Sequence, residues 1–192
     1  MTAGRRAVHW SGVAGSLLGL ATTLLATVRS PTFSWTANAL SDLGGPDAAA
    51  PWLFNGGLIA AGLVALPFAL ALYTTARHAF ERLGAASFAG SVVGLALVGA
   101  FPIGTALHGP VAVAYFLLFT LAMWLHGTGA ALAGDVHRGL VSIWLGIGHL
   151  LAWLAWAASG LDGIAIPELV GSGILLGWLV MTTRWIRRTH GG

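Results

Sequence analysis

"PWLFNGGLIAAGLVALPFALALYTT", residues 51–75, runs for 25 residues without one charged side chain. At a rise of about 1.5 Å per residue, a helix of that length crosses a hydrocarbon core about 30 Å thick. Lipid leaves only helices and closed barrels as viable spans, because every backbone N–H and C=O must be satisfied within the protein. The alternating segments of a barrel strand are absent here, so this stretch reads as a transmembrane helix.

The same test, carried outward, finds six such segments: 8–28, 51–75, 84–101, 111–133, 139–158 and 167–186. Composition agrees. The chain is 57% hydrophobic and 8% charged, with a mean hydropathy of +0.83, whereas a soluble domain carries about a quarter charged residues. The expected architecture is all-α, a polytopic membrane bundle of six transmembrane helices in a single domain over residues 1–192. The first apolar run is longer than a signal-peptide core and lacks a clear A-x-A cleavage site, so it is read as a retained helix. With no cysteine, disulfides, thiolate metal sites and cysteine nucleophiles are excluded.

Arginine placement gives the orientation. Arg5, Arg6, Arg77, Arg82, Arg138, Arg184, Arg187 and Arg188 fall on one side of a six-span arrangement, and Arg29 alone falls on the other. Basic residues favour the cytoplasmic side, so the chain is expected to be multi-pass in the cell membrane with both termini cytoplasmic. Scattered singly and in pairs at segment ends, these arginines form no phosphate-binding stripe. Nucleic acid is therefore excluded as a partner and membrane lipids are expected. Gly15-x-x-x-Gly19, Gly90-x-x-x-Gly94 and Gly173-x-x-x-Gly177 allow close backbone approach. They are read as packing seams within the bundle, with a homo-oligomer contact as the alternative.

Polar chemistry gathers on the side away from the arginines. The first external loop contains "TANALSDLGG", residues 36–45. Set on a helix over Thr36–Leu43, Asn38, Ser41 and Asp42 share one face, while Thr36, Ala39, Leu40 and Leu43 share the other. This predicts a short amphipathic helix at the outer membrane surface. Asn55, at the start of the second span, is expected to hydrogen-bond to the loop, with ligand contact as the other reading. His108 precedes Gly109-Pro110 at the start of the fourth span, where the helix dipole favours a neutral ring. That ring could cap the loop, accept a proton or ligate a metal. Asp162 and Glu168 lie in the last external segment, and Glu168 is read as a carboxylate suited to a first helical turn. Within the spans, His149 is weighed equally as a binding residue and a helix-bridging one, and His126 is read as structural.

"SDLG" in the first loop, "FN" opening the second span and "FP…H" after the third resemble the domain of unknown function 998 family, across essentially the whole chain. That family comprises archaeal and bacterial membrane proteins of about this length. The resemblance implies six helices and brings no established activity. The loop pattern also resembles the FRAG/DRAM group of six-span proteins, some of which act in lipid-anchor remodelling, and no residue role is carried from it.

Three functions remain in contention. The first is a non-catalytic role, binding a lipid or a partner through Asn38, Ser41, Asp42, Asn55, His108 and His149. The second is a membrane-embedded lipid hydrolase or acyl-transfer enzyme, with Ser41 as nucleophile or a metal held by Asp42, His108 and Asp162. Ser, Asp and His also resemble the residue types of the CREST hydrolases, but no paired H-x-x-x-H is present. Ser41 and Asp42 are neighbours about 100° apart on a helix, a poor arrangement for a triad with His108. The third is a small transporter, for which Pro67 and His149 are the slender support. No cofactor is named by any motif.

Overall fold

A computed structural model describes residues 2–190, with the side chain of His190 outside the description. Six long helices follow one another: α1 (Ala3–Val28), α2 (Pro51–Thr74), α3 (Ala79–Ala100), α4 (His108–Leu132), α5 (Val136–Ser159) and α6 (Ala165–His190). Each is long and apolar enough to cross a membrane. The apolar segments read from sequence fall within these helices to a residue or so. Most helices begin several residues earlier because their first turns are polar or amphipathic and lie outside the apolar count. Pro51 occupies the first turn of α2, where no N–H is needed.

The helices pack in chain order: α1 on α2, α2 on α3, α3 on α4, α4 on α5 and α5 on α6, and α6 returns to α1. With six alternating helices, both termini and the α2–α3 and α4–α5 connections share one end, here the terminal end. The α1–α2, α3–α4 and α5–α6 connections form the distal end.

Close approach at glycine sets part of this ring. A Cβ at Gly15 would lie 2.5 Å from the Ala61 carbonyl oxygen, so α1 meets α2 backbone to backbone. Gly94 approaches Tyr115 on α4 in a milder version of the same contact, at 3.3 Å from its Cα. The third small-residue pair differs from expectation. Gly173 and Gly177 would meet nothing within 4 Å, so they are not a seam within the bundle. Residues 175, 178 and 179 turn inward instead, and those two glycines face outward.

Two apolar clusters fill the interior. One is aromatic and centres on Phe68, Phe88, Phe119, Met123 and Trp178, with Phe68 and Phe88 edge to face at 5.7 Å. The other lies under the distal loops and joins Leu40, Leu43, Phe54, Leu58 and Val98.

The first loop departs from its predicted form. Only Leu40–Gly44 is helical, as a single 3-10 turn (η1), and Thr36–Ala39 is turn and extended backbone. Nor does η1 lie on the surface. Leu40, Ser41, Leu43 and Gly44 are buried, and η1 packs against α1, α2 and α6. Leu40 and Leu43 both point into the distal cluster, and burying two leucines draws the turn inward.

Candidate functional site

The distal loop is held by a short chain of hydrogen bonds. Asn38 Nδ2 donates to Asp42 Oδ2 at 2.9 Å, and the Ala39 N–H donates to the same oxygen at 3.0 Å. Asn38 Oδ1 accepts from the Ser34 N–H at 2.8 Å. These bonds fold residues 34–42 onto themselves, which is the work short polar side chains do in turns. Asn55 Nδ2 donates to the Gly44 carbonyl at 2.9 Å, the loop-pinning bond expected from sequence.

The loop is tied to the other side of the bundle by backbone. Gly163 N–H donates to the Thr36 carbonyl at 2.9 Å, and Ala165 N–H donates to the Asn38 carbonyl at 3.0 Å. Trp156 Nε1 in turn donates to the Gly163 carbonyl at 2.7 Å. Glu168 completes the attachment, accepting the Leu40 N–H on Oε2 at 2.7 Å. This carboxylate is buried at 8% exposure and holds a contact 128 residues distant in sequence, more than its expected helix-end role.

Beneath the loop lies a cavity of about 80 Å³ between the helices. Its wall repeats one spacing on two helices. Gly12, Ser16, Gly19 and Thr23 line it from α1, and Glu168, Ser172, Leu175 and Leu179 from α6, each at i, i+4, i+7, i+11. Phe88 and Val92 of α3 and His108, Tyr115 and Phe116 of α4 complete the sides. From Glu168 to Leu179 the wall runs roughly 16 Å at the usual helical rise. Ser41, His108, Glu168 and Ser172 stand at the distal end among Leu40, Phe54, Leu58 and Val98, and Ala65, Phe88 and Leu179 stand at mid-bundle with Ser16.

The structure separates Asn38, Ser41 and Asp42, which sequence grouped on one face. Asn38 and Asp42 line a polar groove on the distal surface with Asp47 and Phe33. Ser41 turns into the interior cavity instead and, among the described residues, its hydroxyl has no protein hydrogen-bond partner. His108 is the first residue of α4 and shares that cavity. Its Nδ1 donates to the Phe101 carbonyl at 2.8 Å, which leaves Nε2 as an acceptor. Asp162 is exposed. Among the described residues, no three His, Asp or Glu side chains gather as a metal group, so Asp42, His108 and Asp162 are not brought together.

His149 lies elsewhere, at the seam of α4 and α5. Trp153 Nε1 donates to its Nε2 at 2.8 Å, and its Nδ1 lies 2.7 Å from Thr120 Oγ1. Because Nε2 accepts, Nδ1 carries the proton and donates to Thr120, whose hydroxyl donates to the Phe116 carbonyl at 2.9 Å. Both ring nitrogens are committed, which is the helix-bridging arrangement.

A second polar cluster, at the terminal end, is one that the sequence reading treats as topology signal. Arg138 is 4% exposed and Glu81 is 0% exposed. Arg138 Nη2 donates to Glu81 Oε1 at 2.6 Å, Nε to Asp135 Oδ2 at 3.1 Å, and Nη1 to His126 Nε2 at 2.7 Å. The guanidinium lies 3.6 Å above the Trp185 ring. Glu81 Oε2 also accepts the Arg77 N–H at 2.6 Å and the His78 N–H at 3.1 Å, capping α3. One arginine thereby joins α3, α4, α5 and α6.

A family model described as a protein of unknown function, DUF998, matches residues 13–185. The chain belongs to the DUF998 family. The match takes in the distal loop, the cavity and the Arg138 network of this DUF998 protein, so all three lie within the family's own extent. No curated protein and no solved structure matches the chain. Ser172, Ser16 and Thr23 are cavity residues absent from the sequence-based expectations, which give Glu168 only a helix-end role. Their signal is the i, i+4, i+7, i+11 recurrence of small and hydroxyl side chains on otherwise apolar helices, which marks an inward stripe.

Proposed function

We propose that this DUF998 protein binds an amphipathic, lipid-like molecule inside the bundle, with its polar group beneath η1 and its apolar tail toward mid-bundle. The observation that carries this reading is the convergence of Ser41, His108 and Glu168 on the distal end of a mostly apolar cavity that reaches Phe88 and Leu179. Ligand sites are typically concave, mostly apolar and supplied with a few convergent polar groups. Ser41 also lines that end and offers a hydroxyl that a ligand can engage.

A catalytic use of the same cavity gains some support because Ser41 and His108 both line it. A nucleophile, base and orienting acid require more. His108 is oriented by the Phe101 carbonyl, and Asp42 Oδ2 is occupied by Asn38 and Ala39. The binding role is therefore the reading favoured over acyl transfer.

Native mass spectrometry of protein released from its own membrane tests the proposal. One small amphipathic molecule per chain is expected on the wild type. It should be lost from Val92→Trp, whose indole fills the cavity from α3, and from Leu175→Trp, which fills it from α6. Wild-type protein at its bare mass under mild release, with variants indistinguishable from it, would remove the basis for the reading.

A further inference from the structure

We infer that the occupant's polar group is a hydrogen-bond donor that is neutral or cationic, an alcohol or an amine, rather than a phosphate or a carboxylate. The inference rests on the ligand-binding reading above and concerns the chemistry of the cavity's distal end.

That end is rich in acceptors and holds neither arginine nor lysine. Glu168 supplies a carboxylate whose Oε2 takes the Leu40 N–H. Its other oxygen has no protein partner among the described residues and is not sealed from the cavity. His108 contributes Nε2 as an acceptor, because Nδ1 donates to the Phe101 carbonyl. Ser41 and Tyr115 add hydroxyls that can accept or donate. No arginine lines the cavity, and the chain contains no lysine. Arg138, the most deeply buried cation, is at the opposite end of the bundle and fully engaged there.

Anion sites are built in the opposite way, from Arg, Lys or free helix N-termini. The N-terminus of α6 is the candidate here, and its positive end is already matched by the carboxylate of Glu168 in the first turn. An anionic headgroup would sit beside that carboxylate in a largely apolar surround, where like charges repel strongly. An alcohol can instead donate to Glu168 or His108, and an ammonium can pair with Glu168. Both leave the apolar tail free to lie along Phe88, Leu175 and Leu179.

Four probes with one tetradecyl chain separate these classes: tetradecanol, tetradecylamine, tetradecanoic acid and tetradecyl phosphate. Each is titrated into the delipidated full chain in phosphatidylcholine nanodiscs. Val92→Trp reports binding that is bilayer partition only. After that subtraction, the alcohol and the amine are expected to bind at least tenfold more tightly than the acid and the phosphate. Glu168→Gln keeps an amide oxygen for the Leu40 N–H and should weaken the amine at least fivefold relative to the alcohol. Acid or phosphate binding that equals or exceeds the alcohol and is abolished by Val92→Trp overturns this inference and leaves the cavity-binding reading standing. No specific binding by any of the four, with wild type and Val92→Trp alike, overturns both.

Discussion

Arg138→Leu is expected to destabilise the folded protein by about 3–5 kcal/mol, the cost typical of removing one partner from a buried ion pair. Three groups lose their donor at once. Glu81, with no exposure, keeps only the backbone N–H groups of Arg77 and His78. Asp135 loses the Nε contact, and His126 Nε2 is left facing an apolar side chain. For a chain of this length the loss corresponds to a fall in melting temperature on the order of 10 °C. The double variant Glu81→Leu with Arg138→Leu should recover part of that loss, because it leaves no buried carboxylate behind. Thermal unfolding in detergent, followed by tryptophan fluorescence, reads all three. A double variant no more stable than Arg138→Leu alone would show that the Arg138–Glu81 pair does not carry the coupling.

Gly163→Val is expected to detach the distal loop. A Cβ at this position would lie 2.5 Å from the Ala37 carbonyl carbon and 2.5 Å from the Asn38 carbonyl oxygen. Both are backbone atoms of the loop itself, so no side chain can swing aside to relieve the contact. The bonds from Gly163 N–H to Thr36 and from Ala165 N–H to Asn38 stretch together. Overpacking and two weakened hydrogen bonds together cost about 2–4 kcal/mol. The loss is local, so the helices stay assembled while residues 29–50 become accessible. Limited proteolysis should therefore cut the variant within that loop many times faster than the wild type, at nearly unchanged helix content. Equal cleavage rates would mean that α2 and Glu168 hold the loop without the α5–α6 connection.

The six spans were legible because an uncharged run of about 20 residues has few other fates. The distal loop was legible only in part. A polar face for Asn38, Ser41 and Asp42 presumes 3.6 residues per turn, but the chain forms a 3-10 turn there, with three residues per turn. Asp42 then falls over Ala39, whose N–H it accepts, and Ser41 rotates inward. Asn55 was readable because a polar group at the end of a span has few partners besides the adjacent loop. The Arg138 network was not readable from local pattern. Glu81 and Arg138 stand 57 residues apart, and each taken alone is an ordinary charge at a helix end. Only the packing of α3 against α4 and of α4 against α5 brings them within reach. The tie made by Glu168 was hidden for the same reason, since four helices separate it from its partner Leu40.

The cavity and its polarity are the centre of this account, and a density map of protein released from its native membrane tests them most directly. Elongated density is predicted from Ser41 and Glu168 toward Leu179, with its polar end within hydrogen-bonding distance of Ser41 Oγ or His108 Nε2. A cavity closed by side-chain rearrangement, or density whose polar end points toward Phe88, would contradict it.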